Sequence, residues 1–444
     1  MKVFFAILIN KLITFTCKLF KFNGTQFPGA FIQDYIDKNI LDKIKYPKIT
    51  IAVTGSAGKG SACSLIKHIL IDAGYSVSLN DNGSNGINGA TTMILNNCSL
   101  KGKFKSDVLL LECDERHLKL IWNKVKPKYL LITNITRDQP TRNFMPEYIF
   151  NTIKEAITKD IHLIINADDP ILSRLTLTHK GKITTFSIDK MKDDITYPLL
   201  NNVDFAYCPI CHKKLKYAYY HYGHLGSYYC ENNDFKHPTA NYIATNVNLD
   251  KQNIKINNND VYINKNVIYA AYATLGAYAL TNIIGVDEET ILNSLNNNKV
   301  PNSLGKEFNY KNHKIIMLET KNENNLSYYQ GCKYIKAQSG LKSVILGFER
   351  VSKRYKESDL SWLYDINFEL LNDKHIDKIF IFGRFKYDLA QRLEFANIDK
   401  NKIVFINDAS KILDIAVRKT KGDIYTMIWY DMVDTVLNKV GVKW

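Results

Sequence analysis

The sequence predicts an α/β protein: a central domain built on a parallel sheet, a small Cys-containing ribbon inserted into it, and a C-terminal α/β domain. Three observations predict it. Between residues 49 and 190, short and nearly continuous apolar runs alternate with helical patterns, as happens where parallel strands are buried on both faces and covered by helices. The first of these runs leads through a glycine-rich turn into a helix. A second alternation of the same kind begins after about residue 300. With 444 residues the chain is also too long for one ordinary core, so two or three domains are expected.

Taken in order, residues 1–48 read as an amphipathic helix and a lead-in. The apolar run Val3 to Ile9 is far shorter than the roughly 20 residues that span a bilayer, and no small-residue cleavage site follows it. Asn10, Lys11, Thr14, Lys18 and Lys21 fall in one arc of a helical wheel, with Phe, Leu and Ile over the rest. Two arrangements fit: an interfacial helix with its lysines toward anionic headgroups, or a helix packed on the protein's own surface.

The central domain is expected over 49–300. Its strands are "ITIAVTG", "DVLLLECD", "YLLITNI" and "HLIINADD", with helices such as "GKGSACSLIKHILIDAG" and "PEYIFNTIKEAIT" between them. A Cys- and Tyr-rich insert occupies about 205–240. A small antiparallel segment, "NVNLDKQNIKINNNDVYINKN", and a buried helix, "VIYAAYATLGAYALTNIIG", follow. The C-terminal domain is expected over 301–444, with strands "KIIMLET", "KSVILGF", "DKIFIFG" and "KIVFIND" and a helix at "YDLAQRLEFA".

Lys and Arg number 59 against 44 Asp and Glu, a formal charge of +15, which favours an anionic partner. The lysines form no aromatic-interleaved stripe, so nucleic acid is not expected. Eight cysteines are too few and too scattered for a disulfide scaffold, and a reducing compartment fits them. Cys17, Cys63, Cys98, Cys113 and Cys332 read as small apolar residues.

The turn Gly55-Ser56-Ala57-Gly58-Lys59-Gly60-Ser61 follows a strand and opens a helix. That context suits a P-loop, in which glycines let backbone N–H groups reach phosphate oxygens at a helix N-terminus. Lys59 would reach the terminal phosphates of ATP. Ser61 would supply, one position late, the hydroxyl that Gly60 lacks, as a Mg2+ ligand. Glu112, at the end of a strand where open α/β sheets bind ligands, is the expected carboxylate for that ion. Asp114 and Glu115 read as a solvated, acidic helix start.

Several motifs occur in a fixed order: the loop; "ITNITRDQPTR" with Asn134, Arg137, Asp138 and Gln139; "NADDP"; "CPIC" with "YGHLG" and Cys230; "SWLYDINFE"; and "GRFKYDLAQRL". Together, and with the N-terminal helix and "NGTQFPG", they resemble the MurT family, the Mur-ligase-like subunit of lipid II isoglutaminyl synthase. The resemblance implies a Mur-ligase-like central P-loop domain and a C-terminal MurT-type domain. It implies a GatD-type glutamine amidotransferase as partner, in a heterodimer, and lipid II at the membrane surface as substrate. The expected activity is ATP-dependent amidation of the D-glutamate α-carboxylate to D-isoglutamine through an acyl phosphate. Asn134, Arg137 and Asp138 join the ATP-binding set, and Asp359 or Asp365, flanking Trp362, would complete the amidase site, Asp359 being the first choice. The chain would work in the cytoplasm, peripheral to the inner face of the plasma membrane.

The chain departs from that family's pattern in several places. Gly60 follows the loop lysine, as in folylpolyglutamate synthases, which keeps an amino-acid-adding ligase as an alternative. Val267 and Ala270 replace a pair of asparagines, and Lys321-Asn322-Glu323-Asn324-Asn325 replaces a Lys-Asn-Pro-Ala-Gly signature. These changes leave a non-catalytic scaffold open as a further alternative. Cys208 and Cys211 form one knuckle, but the second offers Cys230 and then Asn233. Either zinc is kept with Asp234 or His237 as fourth ligand, or the ribbon is metal-free.

Overall fold

The computed structural model describes residues 2–80, 84–198, 204–297, 305–318, 320–350 and 357–437. The chain divides into two units: residues 1–136, 146–197 and 205–301 form the first, and residues 137–145, 198–204 and 302–444 the second. Residues 1–48 thus belong to the first unit, and two short segments, 137–145 and 198–204, belong to the second. The boundary expected at 300 lies outside the described residues.

The first unit contains strands β1 (Ile49–Thr54), β2 (Val77–Leu79), β3 (Val108–Glu112), β4 (Tyr129–Ile132), β5 (His162–Asn166), β6 (Ile183–Ile188), β7 (Lys216–Tyr222), β8 (Leu225–Tyr229), β9 (Tyr242–Asn248), β10 (Asn253–Ile256) and β11 (Asn259–Tyr262). Nine of them form one sheet in the order β11-β10-β9-β6-β5-β4-β1-β3-β2, and β7 pairs with β8 in a separate ribbon. Within this sheet β9, β6, β5, β4, β1, β3 and β2 pair in parallel, and β10 and β11 extend it antiparallel. Val108 to Leu111 and Ile51 to Val53 are wholly buried, which is why their sequence reads as an unbroken apolar run instead of an alternation. The helix Ile268–Ile284 is buried almost all round down to Thr281. It stops at Gly285, whose φ of +103° suits the left-handed helix end that glycine alone adopts cheaply.

Four further helices of this unit matter below: α1 (Lys2–Leu19), α2 (Phe27–Phe31), α3 (Lys59–Asp72) and α4 (Ile87–Asn96). Asn10, Lys11 and Thr14 of the polar arc of α1 face the protein, while Lys18 and Lys21 are exposed. Asn10 is fully buried and donates to Thr92 O at 3.2 Å and to Asn96 Oδ1 at 2.9 Å. Lys11 donates to Cys98 O at 2.9 Å, and Asn96 donates to Thr14 Oγ1 at 3.2 Å. Ala6 and Ile7 fill the rest of the contact. Packing on the protein's own surface, one of the two arrangements expected for this helix, is observed, with Lys11 engaged there. Among the described residues, no helix is long and apolar enough to cross a membrane.

The second unit has strands β12 (Gly305–Tyr310), β13 (His313–Leu318), β14 (Lys342–Gly347), β15 (Ile376–Phe382), β16 (Ile403–Phe405) and β17 (Asp423–Ile428). Their order is β12-β13-β17-β14-β15-β16, with only the β12–β13 pair antiparallel. Separate apolar cores line its two faces, one around Trp362, Trp429 and Tyr328 and the other around Phe380 and Ile412. The four expected strands and the helix Lys386–Phe395 are present. The sequence reading missed β17, although it sits at the centre of the sheet.

Candidate active site

In the first unit β1 lies between β4 and β3, where the strand order turns back on itself. Such a switch point opens a crevice beyond the carboxyl ends of the strands. The loop after β1 and the residues after β4 meet there. Ser56 Oγ donates to Thr136 O at 2.9 Å and accepts from Thr136 N at 3.0 Å. Asn134 clamps Ala57 from both sides, accepting from its N–H at 3.1 Å and donating to its carbonyl at 3.0 Å. Thr133 Oγ1 donates to the same carbonyl at 2.6 Å. The loop is therefore held in shape by its neighbours.

Gly58 precedes α3 with φ +85°, and no side chain caps the helix. Its first-turn N–H groups are left as an anion-binding terminus. Gly55 has φ +132° and sits where a side chain would collide with Thr133. Lys59 folds across the loop, donating to Gly55 O and pairing with Glu115 Oε1 at 2.9 Å. A Cβ on Gly60 would meet Glu112 Oε2 at 3.4 Å, so the Glu112 carboxylate lies beside the helix start. A lysine and a helix N-terminus next to a carboxylate and the Ser61 hydroxyl make a donor set that fits a nucleotide phosphate with a hard divalent cation. Behind the loop, burial pushes the Cys63 and Cys113 thiols well up, so both are inert packing groups.

One expectation here is corrected. Asp114 and Glu115 are not a solvated helix start: their residues are 7% and 3% exposed. Glu115 is the lysine's partner, and Asp114 binds Arg116, with Nε to Oδ1 at 3.1 Å. Nothing in the local sequence marks Glu115, because the strand pairing of β1 with β3 is what brings it to Lys59.

Arg137 and Asp138, expected with the ATP set, belong to the second unit and find their charge partners there. Arg137 pairs with Asp365, both nearly buried, and with Asp204 at 3.4 Å. Asp138 pairs with Lys321 and accepts from Asn324 Nδ2 at 2.9 Å. Asp365 also accepts from Asn325 at 3.3 Å; burial raises its carboxyl, against the pull of Arg137. Asp359 is half-buried and caps the turn beginning at Ser361, whose N–H it accepts at 2.8 Å, while its own N–H donates to Thr141 Oγ1 at 3.0 Å.

Glu323, which the sequence reading treated only as a lost signature position, is fully buried with φ +50°. It accepts from Thr141 Oγ1 at 3.1 Å. Its carboxyl is raised to about 7, chiefly by burial and further by the nearby Asp359 and Asp138 charges, against the Thr141 bonds that lower it.

In the ribbon, Cys208, Cys211, Cys230 and Asp234 bring one ligand atom each within 4.8 Å of one another. Cys211 and Cys230 sulfurs stand 3.3 Å apart as free thiols. Each knuckle keeps a tight turn: His212 N donates to Cys208 O at 3.1 Å, and Asn233 N to Cys230 O at 2.9 Å. Asn233 takes the left-handed conformation, φ +58°, and Asp234 comes next. Three thiolates and a carboxylate fit tetrahedral zinc. His237 is not in this group. It bonds Asp168 Oδ1 at 2.7 Å, and that buried carboxylate also accepts from Ser187 Oγ, Ile188 N and Tyr272 Oη. The "NADDP" motif thus ties the ribbon, the sheet and the buried helix together. Its Asp169 accepts from Ile135 N at 2.6 Å, fixing the residues after β4.

The Mur ligase middle domain family matches residues 53–233, and the MurT ligase C-terminal family matches residues 322–433. The chain is 26% identical over 393 residues to the MurT subunit of the glutamine-hydrolyzing lipid II isoglutaminyl synthase of Staphylococcus aureus strain COL, covering 86% of this chain and 85% of that one. It is 26% identical over 414 residues to the MurT subunit of Streptococcus pneumoniae R6, covering 92% and 90%. Among solved structures, a pseudomurein peptide ligase type C from Methanothermus fervidus matches with a TM-score of 0.67 at 20% identity, over 91% of this chain and 81% of that one. MurF from Acinetobacter baumannii matches with a TM-score of 0.61 at 16% identity, over 93% and 78%. The fold is that of the Mur ligases.

Proposed function

Because the chain is a divergent member of the MurT family, we propose that it is the ATP-dependent amide-ligase subunit of a lipid II isoglutaminyl synthase. A GatD-type glutaminase would supply its ammonia. The observation that carries this reading is the pre-shaped loop at the sheet's switch point, with Lys59, the bare N-terminus of α3 and Glu112 converging on it.

The proposed chemistry would use that geometry. A carboxylate repels nucleophiles until one of its oxygens becomes part of a leaving group. An oxygen of the D-glutamate α-carboxylate attacks the terminal phosphorus of ATP, ADP departs, and an acyl phosphate results. Ammonia then adds at the carbonyl carbon, inorganic phosphate leaves with that oxygen, and the nitrogen sheds a proton to give D-isoglutamine. Lys59 and the N–H groups of α3 oppose the negative charge that gathers on the transferred phosphoryl. Glu112 and Ser61 would hold Mg2+, which when bound neutralises phosphate charge. Asn134 keeps the loop in register. Asp359, the less buried of the two aspartates beside Trp362, is the residue we assign to the partner's amidase site, and Asp365 is committed to Arg137. Such a subunit works in the cytoplasm at the inner face of the plasma membrane, where its lipid-linked substrate lies.

The test is direct: the purified chain, a GatD-type subunit, glutamine, ATP and lipid II are combined, and the product is read by mass. Conversion of a carboxyl to a carboxamide, dependent on both subunits, is expected. An unchanged substrate would refute the assignment. If ATP–Mg2+ binding were also undetectable by calorimetry in folded protein, a non-catalytic scaffold would replace it. Transfer of an amino acid in preference to ammonia would instead indicate an enzyme resembling folylpolyglutamate synthase.

A further inference from the structure

Surface helices ordinarily bury their apolar stripe and show their polar face to water. Helix α1 does the reverse. Its polar arc, Asn10, Lys11 and Thr14, is bonded to α4 and Cys98. Its outward arc is Phe4, Phe5, Leu8, Leu12, Phe15 and Leu19, each 42–66% exposed. Five of these recur at helical spacing along one line, from Phe4 through Leu8, Leu12 and Phe15 to Leu19. Beyond the helix end Phe20, Phe22 and Phe27 are exposed as well, at 63%, 71% and 58%. A contiguous apolar surface of this kind marks a binding face.

Its charge surroundings say what binds. Lys2 stands exposed at one end of the stripe, and Lys18 and Lys21 at the other. No Asp or Glu precedes Asp34 in the chain. An apolar stripe with exposed lysines at both ends, Lys2 having Asp37 in its neighbourhood, is complementary to a layer with an apolar interior and an anionic surface.

We propose that the outward face of α1 is a monotopic docking surface for an anionic lipid bilayer, with Phe4, Leu8, Leu12, Phe15 and Leu19 entering the acyl boundary and Lys2, Lys18 and Lys21 at the headgroups. The helix lies in the plane of the membrane and remains bonded to α4 through its polar arc. This names the surface behind the location given above. It does not depend on the ligase chemistry, because it can be measured with vesicles that contain no cell-wall precursor.

The experiment is flotation of the full chain with phosphatidylglycerol/phosphatidylcholine vesicles and, separately, with phosphatidylcholine alone. Comparison proteins are the double variant Leu12→Glu/Phe15→Glu and Phe395→Glu, a control on an exposed aromatic of the second unit. The wild type and the control should float with the anionic vesicles. The double variant should bind at least about tenfold more weakly with an unchanged thermal midpoint, since both side chains already face outward. Replacing Lys2, Lys18 or Lys21 with Gln should weaken binding to anionic vesicles by about fivefold each at low salt. Wild-type protein that stays in the aqueous fraction would overturn the proposal, as would equal flotation of the double variant. So would size-exclusion data showing that the stripe closes a dimer, or a complex with the amidase subunit, while vesicles are ignored.

Discussion

Lys59, which we propose acts on the transferred phosphoryl, also supports the fold. Its charge is matched by Glu115, and both side chains are largely buried. Lys59→Ala should lower ATP-dependent turnover by at least about a hundredfold. It should also cost stability, on the order of 3 kcal/mol, because it strands a buried carboxylate. Adding Glu115→Gln should restore the thermal midpoint but not the activity, which separates the two roles. Glu323 gives a pH signature in the second unit. Its folded-state carboxyl is raised to about 7 from the ordinary 4.5 of a glutamate, so between those values the folded state holds more protons than the unfolded one. Its contribution to stability therefore falls as pH rises through that window. Denaturant titrations of Glu323→Gln across the window should show a flatter pH dependence than wild type. The loop was legible because glycines and a lysine stood between a strand and a helix. Glu115 and Glu323 were not, since their importance comes from partners distant in the chain, Lys59 and Thr141.

At the level of elements, the ribbon makes the sharpest claim. Cys208, Cys211, Cys230 and Asp234 converge while His237 is held by Asp168. Protein dialysed without chelator should therefore carry one zinc by elemental analysis. Asp234→Ala should lower the occupancy and His237→Ala should leave it intact. Equal retention in both variants would remove Asp234 from the ligand set. The two cysteine turns could be read from spacing. The choice between Asp234 and His237 could not, because it depends on the buried carboxylate of a motif far upstream. The long apolar strands and the buried helix were equally legible. Strand β17 was missed because Thr426 and Tyr425 interrupt its apolar run, although both are buried in the sheet. For α1 the helical period was visible, but which arc would face the protein was not. Its polar arc reads as a solvent face until Thr92, Asn96 and Cys98 are seen to be its partners.

On the scale of the whole molecule, two α/β units divide the chain, and the segment 137–145 that follows β4 belongs to the second. The resemblance groups Asn134, Arg137 and Asp138 with the ATP set; Asn134 lies in the first unit, while Arg137 and Asp138 lie in the second and pair there with Asp365, Asp204 and Lys321. The replaced signature at Lys321–Asn325 is also integrated: Lys321 and Asn324 hold Asp138, and Asn324 caps the helix Asn325–Ala337 by accepting from Ser327 N. The central claim is that the loop at Gly55 presents ATP to a carboxylate. It is tested most directly by labelling the α-carboxylate oxygens of lipid II with heavy oxygen and running the two-subunit reaction. The account predicts that one labelled oxygen appears in inorganic phosphate for each amide formed. Amide formation with unlabelled phosphate would contradict it.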